Sequence, residues 1–304
     1  MSPIRFIDGL HLGRPKVIGT GVVGEAGGPL ALIDCGPESI FKNTVAGLRA
    51  LGLRPEDVTH VFVTHIHFDH AGAAWRWAEE YGATVCVHPK GAPHLADPTK
   101  LLASATKIFG DQMGYLWGDM RAVRADKLRV VQDNETVAAG GTVFTALDTP
   151  GHAQHHHAWW LERERTLFSG DVMGVVIDGG PCLPPCPPPD VHIETWLQSL
   201  QRLMKLQPQR VFLTHFGEID DATKRLNELV ERLLDWAEWI AEELKIGMPE
   251  EKIVPLFEQR VRAELKMAGL SDELLDTYEQ ADPAAMSVGG LARYWRKFRP
   301  EQIK

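Results

Sequence analysis

The chain has 304 residues, 44% hydrophobic and 24% charged, the balance of an ordinary globular protein with room for one large domain or two smaller ones. Its net charge of −9 argues against a nucleic-acid surface, which needs a basic face. No run of about 18 apolar residues is present, so no membrane span is expected.

The opening Met1-Ser2-Pro3-Ile4-Arg5-Phe6-Ile7-Asp8 lacks the apolar stretch of a signal peptide. Residues 30–36, Leu-Ala-Leu-Ile-Asp-Cys-Gly, read as a buried strand ending at Asp34, and 38–51 as a helix stopped by Gly52. A strand at 60–64 runs into Thr64-His65-Ile66-His67-Phe68-Asp69-His70, four metal-binding side chains within six positions. Histidines removed from water need partners, so such clustering is read as a site rather than a solvated His-rich loop. Ala73–Tyr81 then reads as a helix ending at Gly82, and Thr84–His88 as a short strand. Strands alternating with helices indicate an α/β layer architecture.

Residues 89–127 are an insertion rich in Pro, Gly and Met, read either as a lid over the site or as a surface loop with short helices. Several short strands are expected over 128–171. Three later apolar runs end in a ligand type: Val143–Leu147 leads to Asp148 and His152, Thr166–Gly170 to Asp171, and Arg210–Thr214 to His215. Loops placed by rigid strands collect active-site residues. From 221 to 304 the pattern is helical throughout. Leu226, Leu229, Val230, Leu233, Ala237, Ile240 and Leu244 form one stripe, with further helices at 250–268, 271–280 and 288–297 and an N-cap at Ser271. Two units follow, a catalytic domain over 1–220 and a helical extension over 221–304. The extension can shape the substrate pocket or offer a homodimer surface.

Five histidines and two aspartates, His65, His67, Asp69, His70, His152, Asp171 and His215, thus lie at strand ends. Imidazole and carboxylate favour zinc, iron or manganese over calcium. Three protein ligands per metal would leave the open positions of a catalytic site. The pattern His65-x-His67-x-Asp69-His70, then His152, Asp171 and His215 in that order, resembles the metallo-β-lactamase superfamily over roughly residues 15–220. The resemblance implies a four-layer αββα sandwich, to which the all-helical extension is added. It implies one metal on His65, His67 and His152, a second on Asp69, His70 and His215, and Asp171 bridging them. Two divalent ions, zinc foremost with iron or manganese as alternatives, would then share a nucleophilic hydroxide. Asp69 is the residue expected to position that hydroxide and pass a proton to the leaving group.

The implied activity is a dinuclear hydrolase acting on a small-molecule ester, lactone, thioester or amide. A cysteine stands at the position of Asp171 in the commonest β-lactamases, which lowers that reading. The 43 residues between Asp171 and His215 leave no room for the extra domain of the nuclease branch. Quorum-signal lactonases often carry a Tyr where this chain has Gly174. Thioester hydrolases of the glyoxalase II type share all seven ligands. A mononuclear iron persulfide dioxygenase and a phosphodiester hydrolase remain alternatives on the same fold.

Asp34, Thr64, Thr214, His155, His156 and His157 are candidates for orienting ligands. The proline-rich stretch from Pro184 to Pro189 is expected to be a stiff wall beside the pocket. Cys182 and Cys186 lack a second pair to complete a zinc site and are otherwise read as a potential disulfide. Cys35 and Cys86 are read as buried free thiols, consistent with a cytoplasmic location. His192 is read as the start of a helix, and the basic end Arg293, Arg296, Lys297 and Arg299 as a solvated face.

Overall fold

A computed structural model describes residues 3–304. Six strands form the first sheet in sequence order: β1 (Ile4–Asp8), β2 (Gly19–Val23), β3 (Leu30–Ile33), β4 (Val58–Phe62), β5 (Thr84–Val87) and β6 (Leu128–Val130). The first three pair antiparallel and the last four parallel. The second sheet holds β7 (Thr136–Ala139), β8 (Thr142–Asp148), β9 (His157–Leu161), β10 (Thr166–Phe168), β11 (Arg210–Leu213) and β12 (Gly217–Glu218), also in chain order from one edge to the other. Only β10 and β11 run parallel there.

The central strands are apolar on both faces because both faces are covered. Side chains alternate between two cores with period two. Ala31, Ile33, Phe62 and Cys86 point between the sheets and meet Phe144, Trp159, Leu161, Phe168 and Phe212. Their neighbours Leu30, Leu32, Val61, Val85 and Val87 point outward. Those outward residues pack under α1 (Phe41–Ala50), α2 (Phe68–Ala71), α3 (Ala74–Glu80), α4 (Ala92–Ala96), α5 (Thr99–Phe109) and α6 (Met113–Leu116). On the other outer face, Ala158, Trp160, Leu167, Val211 and Leu213 pack with α7 (Ile193–Met204), α8 (Ala222–Lys245), α9 (Glu250–Met267), α10 (Asp272–Ala281) and α11 (Ala284–Phe298). The four-layer sandwich and its helical extension are therefore those expected. One apolar core is shared by β9–β11, the proline-rich loop and the extension.

The sequence signals account for most boundaries. Gly52 and Gly82 follow α1 and α3 with φ of +72° and +69°, the left-handed stop expected of glycine. The hydroxyl of Ser271 accepts from the Leu274 N–H at the start of α10. In α8 the expected stripe is buried at Leu229, Leu233, Ala237 and Ile240. Among the described residues, no helix is long and apolar enough to cross a membrane. All four cysteines are buried and free, so Cys182 and Cys186 form no disulfide.

A buried polar cage ties β5, β8 and β9 together just below the site. His157 Nε2 and His88 Nε2 lie 2.6 Å and 3.3 Å from Asp148 Oδ1. Burial pushes the Asp148 carboxyl up, but hydrogen bonds from His157 and His88 outweigh it and hold it below the usual carboxylate range. A carboxyl depressed in the fold adds stability that is complete above its unfolded value near 4 and is lost as pH falls toward the folded value. Asp148→Asn should cost about 1 kcal/mol at neutral pH, allowing for partial exposure, and should flatten the decline in stability below about pH 4. Denaturant unfolding from pH 3 to 7 checks this. An unchanged acid limb in the variant would remove Asp148 from the account.

Candidate metal centre

Strands β3, β4 and β5 of one sheet, and β8, β10 and β11 of the other, end at the same edge of the sandwich, and the seven residues sit in the loops that leave β4, β8, β10 and β11. Val63 and Thr64 carry the chain from β4 to His65. His67 is extended and opens the single turn of α2, from which Asp69 and His70 project so that Oδ2 and Nε2 come within 3.5 Å of each other. Asp69 reaches His215, with Oδ2 3.4 Å from Nε2. His70 turns inward toward Asp34 and Asp171. Gly170 has φ of +52°, and a Cβ there would lie 2.6 Å from Thr64 Oγ1. Only glycine lets the loop after β10 come close enough to bring Asp171 into the cluster.

All seven residues come together. The ligand atoms of His65, His67 and His152 lie within 4.8 Å of one another, as do those of Asp69, His70 and His215. Asp171 stands between the sets. Its Oδ2 is 3.4 Å from His152 Nε2, and its Oδ1 is 3.3 Å and 3.5 Å from Nε2 of His70 and His215. His70 Nε2 and Asp171 Oδ1 are buried and lack any hydrogen-bond partner despite that approach. Polar atoms orphaned so and aimed at one space are what a cation site requires. The donor set therefore fits a divalent metal pair.

Outer partners orient the rings. The His152 Nδ1–H donates to the Pro185 carbonyl at 2.8 Å, and the His215 Nδ1–H to the Val17 carbonyl at 2.6 Å. His70 Nδ1 is 2.8 Å from Asp34 Oδ2. A carbonyl can only accept, so Nδ1 carries the proton and Nε2 is left bare for a metal. His65 Nδ1 lies 3.0 Å from Thr64 Oγ1, and that hydroxyl donates to Asp34. His67 presents Nδ1 instead, 2.8 Å from His65 Nε2. Asp34 also accepts from the Thr64 backbone N–H at 2.7 Å and the Thr214 hydroxyl at 2.6 Å. His156 hydrogen-bonds Thr149 through Nδ1 and stacks on the His65 ring, with centroids 5.1 Å apart.

Electrostatics divide the rings. Burial, followed by the neighbouring rings, lowers His65 well below its ordinary value and His67 to about 3. Burial would lower His70 too, but Asp171, Asp69 and Asp34 together raise it well above that value. His215 is raised against burial by Asp171 and Asp69. Burial pushes both Asp69 and Asp171 up, yet His70 and His215 pull them below the carboxylate range.

His88, Asp148 and His157 form a further group close enough to hold an ion. Its hydrogen bonds argue otherwise. The Lys90 N–H donates to His88 Nδ1 at 2.9 Å, which leaves the ring proton on Nε2, pointed at Asp148. Binding an ion through Nε2 of His157 would also leave its buried, unpartnered Nδ1 as an N–H without an acceptor. The sequence marked Asp148 as a ligand type after an apolar run and His157 within a histidine tract, but nothing joined them to His88, which looks like an ordinary strand end. Val17 likewise serves through its carbonyl, which no residue type announces. His192 caps α7, with Nδ1 accepting from the Thr195 N–H. In the basic end, Arg296 and Arg299 pair with Glu250 and Glu194, and Arg293 donates to the Pro189 carbonyl.

The seven residues underlie a cavity of about 370 Å³. Its floor includes His67, Asp69, His152, Asp171 and His215. One wall is α5, with Leu101, Ala105, Ile108 and Phe109, backed by Trp117. The opposite wall is Pro187–Pro189 together with Ala281, Pro283 and Met286 from the extension.

The sequence model of the metallo-beta-lactamase superfamily matches residues 18–215. The chain belongs to that superfamily. A relative, the metallo-beta-lactamase fold-containing protein ST1585 of Sulfurisphaera tokodaii, is 29% identical over 207 residues, 67% of this chain and 74% of its own. The crystal structure of ST1585 superposes with a TM-score of 0.64, covering 77% of this chain and 87% of that one at 26% identity. That of TTHA1429, a metallo-beta-lactamase family protein from Thermus thermophilus, covers 92% of this chain and 88% of its own, with a TM-score of 0.65 at 21% identity. A hydroxyacylglutathione hydrolase of Methylobacterium sp. is 29% identical over 160 residues, 53% of this chain, and the match spans about half (49%) of that enzyme. Members of this superfamily are mostly metal-dependent hydrolases.

Asp34→Ala should remove four hydrogen bonds from one buried point and strand His70 and Thr214. A loss of about 3–5 kcal/mol is expected. Chemical unfolding of the purified protein measures it, and a loss under about 1 kcal/mol would show that the network is dispensable.

Proposed function

We propose that this chain is a dinuclear metal-dependent hydrolase that cleaves an ester, lactone, thioester or amide carrying an apolar acyl group. The observation that carries the reading is the convergence of seven ligand-type residues on the floor of a cavity whose walls are apolar. His65, His67 and His152 would hold one divalent ion, Asp69, His70 and His215 the other, and Asp171 both. Bound there, the ions would supply Lewis acidity and a water acidic enough to attack at neutral pH, zinc being foremost among the metals this donor set suits.

The protein's own part is positional. Asp34, Val17 and Pro185 fix the rings by their Nδ1 protons, so the Nε2 atoms point at the reacting space without reorganisation. Asp69 lines the cavity beside His215 and is the residue assigned to orient the attacking water and to pass a proton to the leaving group. Ile108, Phe109, Trp117 and Met286 would seat the acyl chain and keep bulk water away. Lys100 is the single lysine or arginine lining the cavity among the described residues. That favours an uncharged acyl group over a substrate with several carboxylates.

The test is a chain-length series of esters and thioesters with metal-loaded protein. kcat/KM should rise about fourfold per methylene, from about 0.8 kcal/mol per buried CH2, until the cavity is full. A flat series, or preference for a multiply charged conjugate, would sink the apolar assignment. Oxygen uptake with a persulfide on iron-loaded protein would identify a dioxygenase instead. Asp171→Ala should cost at least about 100-fold in kcat and reduce metal content. Full activity with metal retained would overturn the bridging role.

A further inference from the structure

The loop between β10 and α7 carries five prolines between Pro184 and Pro189, and proline has no backbone N–H. Cys186 is therefore the one residue in that stretch with a backbone donor. With that single donor the Pro184–Pro189 stretch makes no main-chain bond within the loop, yet it holds the Pro185 carbonyl that receives the His152 Nδ1–H at 2.8 Å. The anchors come from the extension. The Cys186 N–H donates to Ser287 Oγ on α11 at 3.2 Å, and the Ser287 hydroxyl donates to Asp282 Oδ1 at 3.1 Å. All of these groups are buried. The α11 backbone also presses on the next peptide, Cys186–Pro187, and a Cβ at Gly290 would fall 1.9 Å from the Cys186 carbonyl oxygen.

We propose that the helical extension is part of the metal centre, with Ser287, held by Asp282, acting as a positioning residue for His152 through the Pro185–Cys186 peptide. The peptide accepts from His152 on one side and donates to Ser287 on the other, so each bond polarises the next and strengthens the acceptor that orients the ring. The assignment of His152 as a ligand rests on the function proposed above. The positioning itself does not, because the hydrogen bonds that produce it are between protein groups alone.

Two measurements separate the claims. In metal-free protein with 15N-labelled histidine, the His152 Nδ1–H should exchange with solvent at least about tenfold faster in Ser287→Ala than in the parent. Ser287→Thr, which keeps the hydroxyl, should restore slow exchange. Cobalt titration followed by its visible absorption should then show binding of the first ion weakened about 10- to 100-fold by Ser287→Ala. Gly290→Ala, which removes no polar group but pushes on the Cys186 carbonyl and so shifts the residue whose N–H meets Ser287, should do the same. Val288→Ala is the control for general loosening of α11, since Val288 is fully buried one position away and its apolar side chain takes part in none of these hydrogen bonds. It should lower stability and leave both readouts unchanged. Equal effects from Val288→Ala, or unaltered exchange in Ser287→Ala, would overturn the positioning role. A parent protein that binds no cobalt but shows the exchange effect would overturn the proposed function and leave the positioning in place. Should Ser287→Ala fail to fold, Gly290→Ala carries both measurements, and its matching the parent would be equally decisive.

Discussion

Asp34 is the point on which the centre depends. It is buried to 1% exposure, surrounded by donors, and bonded to both sheets at once. Thr64 brings the end of β4 to it, Thr214 the end of β11, and His70 the metal loop. A buried carboxylate without donors would be strongly unfavourable, so every group that meets this one is pinned in place. Its residue sits at φ of +48°, an uncommon backbone for anything but glycine, and this turns the chain after β3 so that the side chain faces inward. The candidate ligands are thus held by a carboxyl group that is not one of the seven.

Around that point the sandwich supplies direction. Two sheets with strands running to a shared edge place four ligand-bearing loops within a few ångströms of each other. The apolar alternation of β3, β4, β5, β9, β10 and β11 fixes which face each strand shows to which core, and a slip of one residue would exchange Phe62 for Val61 and Phe212 for Val211. Register in the cores and geometry at the edge are one constraint. Gly170 makes the link concrete, since the approach it permits sets how near Asp171 comes to the histidines.

Much of this was legible in the sequence for physical reasons. Ligand types following apolar runs marked His65 to His70, His152, Asp171 and His215, and glycine stops marked the ends of α1 and α3. The αββα layer count came from the superfamily resemblance, because period-two alternation says that a strand is covered on both faces without saying by what. Other parts carried no mark. The carbonyls of Val17 and Pro185 orient His215 and His152 through atoms that every residue has. The cage of His88, Asp148 and His157 joins positions far apart in the chain, and its meaning lies in which nitrogen bears the proton. Ser287 and Gly290 look like ordinary small residues on a helix until the proline-rich loop lies against them.

The floor and walls of the cavity come from different stretches of chain, and this separates two kinds of change. Substitutions in α5 at Ile108 or Phe109 alter the shape offered to a substrate while leaving the seven convergent residues and their outer partners untouched. The opposite wall has no such freedom, because the segment that supplies Met286 and Pro283 also supplies Ser287 and Asp282. Diversification of substrate range in this lineage is therefore expected to be lopsided, with variation concentrated in the insertion and constraint in the extension.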